Sequence, residues 1–253
     1  MTKPTQGRKS ANTLTMKNDI KVVTFDLDNT LWDVKPTLHK AEQTQRQWLM
    51  THRPGAVDHY DHESLWDFKL DVAKRHPQFA HQISKLRIQF LYELQRQAGF
   101  GEEESQLGAE TAFAVFLNIR HQVVLYEEAL AVLEQLARHY TLGALTNGNA
   151  DIYKTDAAEY FDFAFLAEDL DASKPAPDMF HAAMAHTGAN PQQIIHVGDH
   201  SEHDVAGAQA VGMHTVWVNL ARKPWDGGER AQQEIENLAE LPGAIQRIVL
   251  GHG

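Results

Sequence analysis

From residue 123 onward, strand-length apolar runs at 140–145, 163–166, 194–197 and 214–218 alternate with helix-length segments at 127–138, 150–159, 178–187, 205–211 and 241–250. Strands joined through helices rather than tight turns lie parallel, so the alternation predicts an α/β fold: a doubly wound, Rossmann-like parallel sheet. One further β-rich run, 20–25, stands apart from the others. Between them the apolar period changes to that of helices, read at 36–52, 62–76, 78–99 and 102–122 and broken by "RPG", "HP" and "GFG". Within the third segment Ile83, Leu86, Phe90, Leu91 and Leu94 recur at three and four residues and form one apolar face. The expected organisation is a core domain of residues 19–34 and 123–253 with a helical bundle, 35–122, inserted into it. Residues 1–18 are polar and aperiodic, expected to be a disordered tail in which Met16 is a candidate natural start.

Composition narrows the function. With 23 Lys+Arg against 34 Asp+Glu the chain of 253 residues carries a net charge of −11, the wrong sign for a nucleic-acid partner. It has no Cys, hence no disulfide framework and no thiolate metal site. No apolar run is long enough to span a bilayer and none resembles a signal peptide, so the reading is a cytoplasmic protein without a membrane partner. Monomer and homodimer both remain open.

The candidate chemistry sits where the apolar runs end. In "VVTFDLDNTLWD" Asp26 and Asp28 close the first run, with Thr30 two residues on. Asp-Asn-Thr is also ordinary turn chemistry, and this cluster alone leaves both readings open. The other runs decide between them. "LGALTNGN" ends in Thr146 and Asn147, "IIHVGDHSEHD" ends in Asp199 with Asp204 five residues later, and Lys174 lies between in "SKPAPD". Ligands of open parallel sheets bind beyond the carboxyl ends of the strands, where all four clusters are expected.

This ordered set, DxDx[TV], a hydroxyl residue, a Lys and an acidic pair after GD, resembles the haloacid dehalogenase superfamily of phosphohydrolases over about residues 22–218. The resemblance implies a sheet of order 5-4-1-2-3 and makes the helical insertion a type-one cap over the active site. It implies a Mg²⁺-dependent phosphatase acting on a small-molecule phosphate ester. Asp26 is the expected nucleophile, forming an aspartyl phosphate. Asp28 is the expected general acid and base, on the same side of an extended strand end. Asp26, Asp199 and the Asp28 backbone carbonyl are the implied metal ligands, with Asp204 supporting them and Thr30 orienting the loop. Thr146, Asn147 and Lys174 are expected to bind the phosphate, Lys174 also facing Asp26.

"LTNGNA", "SKPAPDMF", "HVGDHSEHDVAGA" and "HQISKLRIQF" are further similar to bacterial phosphatases of flavin mononucleotide and of the ribitylamino-pyrimidine phosphate. The alternatives are a phosphoglycolate or sugar-phosphate phosphatase, a phosphomutase, a 2-haloacid dehalogenase and a non-catalytic binding module. An acid at position 28 is superfluous for expelling halide, and the intact Asp26, Asp28, Lys174 and Asp199 argue against an idle module. His200 and His203 have zinc-like character, but a lone pair in a loop favours surface residues over ligands. Trp32, Trp48 and Trp66 are candidates for a substrate face or for packing. Lys85 and Arg87 read as solvated.

Overall fold

A computed structural model describes residues 18–251. The expected tail therefore lies outside the described residues, Met16 included. Asn18, the exception, is tied down: its amide N–H donates to the Val249 carbonyl at 2.8 Å and its side chain to the Ile248 carbonyl at 2.7 Å.

The chain begins with β1 (Val22–Phe25) and leaves the sheet for four helices, α1 (Val34–His52), α2 (His62–Arg75), α3 (Ile83–Gln97) and α4 (Glu102–Arg120). It returns through α5 (Ala129–Ala137), β2 (Thr141–Thr146), β3 (Phe163–Leu166), α6 (Ala167–Leu170), α7 (Asp178–Thr187) and β4 (Ile194–Gly198). It finishes with α8 (Gly207–Ala210), β5 (His214–Val218), β6 (Gln233–Ile235) and α9 (Leu241–Val249). The strands form one parallel sheet of order β3-β2-β1-β4-β5-β6. This is the 5-4-1-2-3 order of the resemblance with a sixth edge strand, too short and polar to register as an apolar run. Every residue of β1 is buried, because one face packs with α5 and α9 and the other with α7 and α8.

The segment expected to be a helix at 150–159 is two 3₁₀ turns, Ile152–Lys154 and Ala158–Tyr160. Short polar side chains supply the reason. Asp151 accepts from the Tyr153 amide at 3.0 Å, the Thr155 hydroxyl donates to the Ile152 carbonyl at 2.8 Å, and the Ala157 amide bonds the same hydroxyl at 3.3 Å. These local bonds compete with the helical ladder.

The four inserted helices build their own apolar cluster from Leu49, Val72, Phe90, Leu91, Leu94, Ala109 and Ala112. Asp33 caps α1 by accepting from the Lys35 amide at 2.9 Å. The start of α3 has no cap of its own from Gln82. The sheet side provides one: Glu168 of α6 accepts from the Ser84 amide and hydroxyl, both at 2.9 Å. Gln82 adds a bond to Asp171 at 2.9 Å, and His81 meets the Ser173 hydroxyl at 2.9 Å. The insertion is thereby fastened over the carboxyl ends of β2 and β3.

Candidate active site

β1 delivers the first carboxylate directly. The Asp26 amide donates to Val197 of β4 at 2.9 Å, so Asp26 continues the strand register, and the chain then turns tightly. Asn29 adopts φ 63, a left-handed conformation that Asn tolerates better than most residues, and its amide donates to the Trp32 carbonyl at 2.7 Å.

Lys174 is the centre of the cluster. Its side chain is 1% exposed, and its ammonium donates to Asp26 Oδ1 at 2.9 Å, Asp204 Oδ1 at 2.6 Å and the Leu145 carbonyl at 2.6 Å. An ammonium has three protons, so all three are engaged within the protein. Thr30 donates its hydroxyl to Asp26 Oδ2 at 3.4 Å.

Asn147 is tied to the same lysine. Its side-chain amide donates to the Lys174 carbonyl at 2.9 Å and its oxygen accepts from the Lys174 amide at 2.8 Å. It fixes the lysine backbone. Thr146 is buried at the end of β2 and its hydroxyl accepts from the Gly148 amide at 2.9 Å.

Asp204 is held by three donors. Besides Lys174 on Oδ1, it accepts from His196 Nε2 on the same oxygen at 3.2 Å and from the His200 amide on Oδ2 at 3.0 Å, so both oxygens are occupied. Because a carboxylate only accepts, Nε2 of His196 carries the proton, leaving Nδ1 to accept from the Thr24 hydroxyl at 2.9 Å.

 The π-helical turn Ser201–Ala206 presents this carboxylate back toward β4. His200 caps that turn, its ring nitrogen accepting from the Glu202 and His203 amides, each at 3.2 Å, and it stacks on His203.

Asp28 is held apart from this cluster. Trp32 Nε1 donates to its Oδ1 at 2.8 Å and Arg120, at the end of α4, to its Oδ2 at 2.5 Å. Trp32 is completely buried, so it is a support for Asp28 and no part of a substrate face. Arg120 is 3% exposed, and its Nη1 is buried without a partner among the described residues. Gly148 is required beside them, since a Cβ there would lie 2.6 Å from Asp28 Oδ2 and 3.1 Å from Arg120 Nη2. Arg120, His196 and Gly148 were not among the sequence candidates. A histidine inside the apolar run "IIHVGD" was the one available signal; Arg120 gave none, because its partner lies 92 residues away.

The titration of the cluster follows from burial and charge. Burial raises Asp26, against the opposing pull of Lys174. Burial alone would raise Asp204 too, but Lys174 and His196 hold it below the usual carboxylate range. Burial would lower Lys174, yet Asp204 and Asp26 keep it raised. Asp199, at the end of β4, is pushed up to about 6 by burial and by Asp204. Its backbone carbonyl accepts from Trp217 Nε1 at 2.8 Å, while its carboxylate has no hydrogen-bond donor among the described residues.

Carboxylate oxygens of Asp26, Asp199 and Asp204 lie within 4.8 Å of one another. Once ionised, which burial of Asp26 and Asp199 opposes, the three carboxylates bring three negative charges to one ammonium, while burial lowers His196. Asp28 and Arg120 cancel each other. The remaining charge of about −2 and the undonated Asp199 carboxylate fit a hard divalent cation with oxygen ligands.

An α/β sheet with a nucleophile-capable carboxylate on its first strand, a buried lysine and an acidic cluster at the switch point defines a hydrolase class. Residues 20–212 match the haloacid dehalogenase-like hydrolase family, and the chain belongs to it. It is 30% identical to the 5-amino-6-(5-phospho-D-ribitylamino)uracil phosphatase YigB of Escherichia coli, over 89% of this chain and 96% of that protein. It is 27% identical to N-acylneuraminate-9-phosphatase of Mus musculus, over 90% and 95% respectively. A crystal structure described as 2-haloacid dehalogenase from Pseudomonas syringae superposes with a TM-score of 0.86 at 41% identity, covering 90% of this chain and 99% of that one. Among the described residues no helix is long and apolar enough to cross a membrane.

Proposed function

We propose that this hydrolase is a Mg²⁺-dependent phosphatase of small phosphomonoesters that works through an aspartyl phosphate on Asp26. The observation that carries the reading is the pair of carboxylates with separate surroundings: Asp26 against Lys174 at 2.9 Å, Asp28 against Trp32 and Arg120. Two carboxylates kept chemically distinct suit a nucleophile and an acid–base group. Asp26 attacks phosphorus while Asp28, which must first take up a proton as one of its bonds to Arg120 or Trp32 is released, gives that proton to the leaving alkoxide; Asp28 then takes a proton from the water that hydrolyses the acyl phosphate. Lys174 orients Asp26, and Asn147 orients Lys174. Mg²⁺ held by Asp26, Asp199 and the Asp28 carbonyl, with Asp204 behind them, would neutralise charge on the phosphoryl oxygens. The four-helix insertion acts as the cap, residues 35–122, on a core of 19–34 and 123–253.

The YigB relative supports a riboflavin-pathway pyrimidine phosphate, with flavin mononucleotide as the related ester, as substrate. A second reading, hydrolytic dehalogenation, draws on the Pseudomonas syringae structure. Asp28 weighs against it, since halide leaves without a proton. The two readings separate in one assay: phosphate release from flavin mononucleotide and p-nitrophenyl phosphate, and halide release from 2-chloropropionate, each with chelator and with Mg²⁺. Phosphate release that needs Mg²⁺ and is lost in folded Asp26→Asn is expected. Metal-independent halide release without phosphatase activity would replace this reading with the second.

A further inference from the structure

Helices α1, α2 and α3 leave a cavity of about 180 Å³ between them. Neither Asp26 nor any other member of the carboxylate cluster lines it. One wall is apolar, formed by Leu49, Leu65, Phe90 and Leu94. The opposite end is charged and unbalanced. Glu42 is the one carboxylate of the lining, and a single oxygen, Oε1, faces both Arg87 Nη2 at 3.2 Å and Lys69 Nζ at 3.7 Å. Arg46, the third cation, donates to the Val57 and Tyr60 carbonyls at 3.3 and 2.7 Å and has no carboxylate partner among the described residues.

Three cations thus share one anion. Arg87, expected to be solvated, has a side chain 12% exposed and lies over the Phe116 ring at 3.7 Å. Burial, and next the Arg87 charge, push Lys69 down to about 8. Cation excess in a partly desolvated bundle is costly unless an anion joins it. Trp66, half exposed, places its ring 5.2 Å from Lys69 Nζ at the rim.

We propose that this cavity binds a small organic carboxylate, its acid group paired with Lys69 and Arg87 and its body against Leu65, Phe90 and Leu94. The volume admits a body of about one ring and is below the range of pockets that enclose drug-sized ligands, which excludes a fused three-ring flavin. The carboxylate arrives either as an arm of a phosphate ester other than flavin mononucleotide or the ribitylamino-pyrimidine phosphate, neither of which has one, a case that rests on the phosphatase reading, or as a separate molecule that acts on hydrolysis from within the cap.

Benzoate and its neutral isostere benzamide are the probes, titrated into the whole protein by calorimetry, with backbone amide shifts recorded alongside. Benzoate is expected to bind at least tenfold tighter than benzamide, to shift amides along the α1–α3 lining, and to lose about tenfold in affinity in Lys69→Met but not in Lys85→Met. Equal binding of the two probes, shifts away from the lining, or an unaltered Lys69→Met would overturn the site. In p-nitrophenyl phosphate hydrolysis, a raised KM alone identifies the ester's own arm and a changed kcat identifies a separate effector; no change at saturation overturns the cavity's link to hydrolysis. Calorimetry needs no turnover, so failure of the phosphatase reading and failure of this site are read separately.

Discussion

Arg120 illustrates what single residues contribute here. It comes from the insertion, yet it holds Asp28 together with Trp32, and its second terminal nitrogen is buried and unpaired. Arg120→Ala should reduce kcat by about 10²-fold through misplacement of Asp28, with a smaller change in KM, and Arg120→Lys should recover part of the loss. Steady-state kinetics on p-nitrophenyl phosphate checks this, and equal kcat in wild type and Arg120→Ala contradicts it. The sequence marked Asp26, Asp28, Asp199 and Asp204 because each follows the end of an apolar run, and Lys174 by its place between those clusters in "SKPAPD". It did not mark the bonds of Asn147 to the Lys174 backbone, since nothing local reveals that its side chain spans that far.

At the scale of elements, Glu93 of α3 adds polar bonds to the end of α2 beside the apolar cluster the two helices share. It accepts from Arg75 Nη2 at 2.5 Å and Gln89 Nε2 at 2.9 Å, and meets His76 Nε2 at 2.8 Å. Burial would raise Glu93, but these donors lower it below its usual 4.5. A lowered carboxyl contributes stability that is complete above 4.5 and lost as pH falls through the folded-state value. Glu93→Gln should therefore cost about 1 kcal/mol at pH 7 and less at pH 3, compared by urea unfolding. A difference that is the same at both pH values would show that the charge is not responsible. Elements with strong periodicity, such as 178–187 and 214–218, were legible in the sequence to the residue. The segment 150–159 was not, because Asp151 and Thr155 divert backbone bonds that periodicity assigns to a helix. β6 was not either, its pairing with β5 being a tertiary fact.

For the molecule as a whole, the charge deficit at the carboxyl ends of the strands predicts coupling between metal and stability. At a hundred times its dissociation constant, Mg²⁺ should stabilise the protein by about 2.7 kcal/mol, and Asp199→Ala should abolish most of that gain. Thermal melts with Mg²⁺ and with chelator test it, and an unchanged melting temperature in wild type would remove the metal from the account. The central claim remains that Asp26 becomes phosphorylated during turnover. Rapid acid quench with a radiolabelled phosphate ester measures this most directly. The prediction is protein-bound label within the first turnover, mapped to the peptide carrying Asp26, released by neutral hydroxylamine and absent from Asp26→Asn. Turnover without bound label, or with label on another residue, would contradict it.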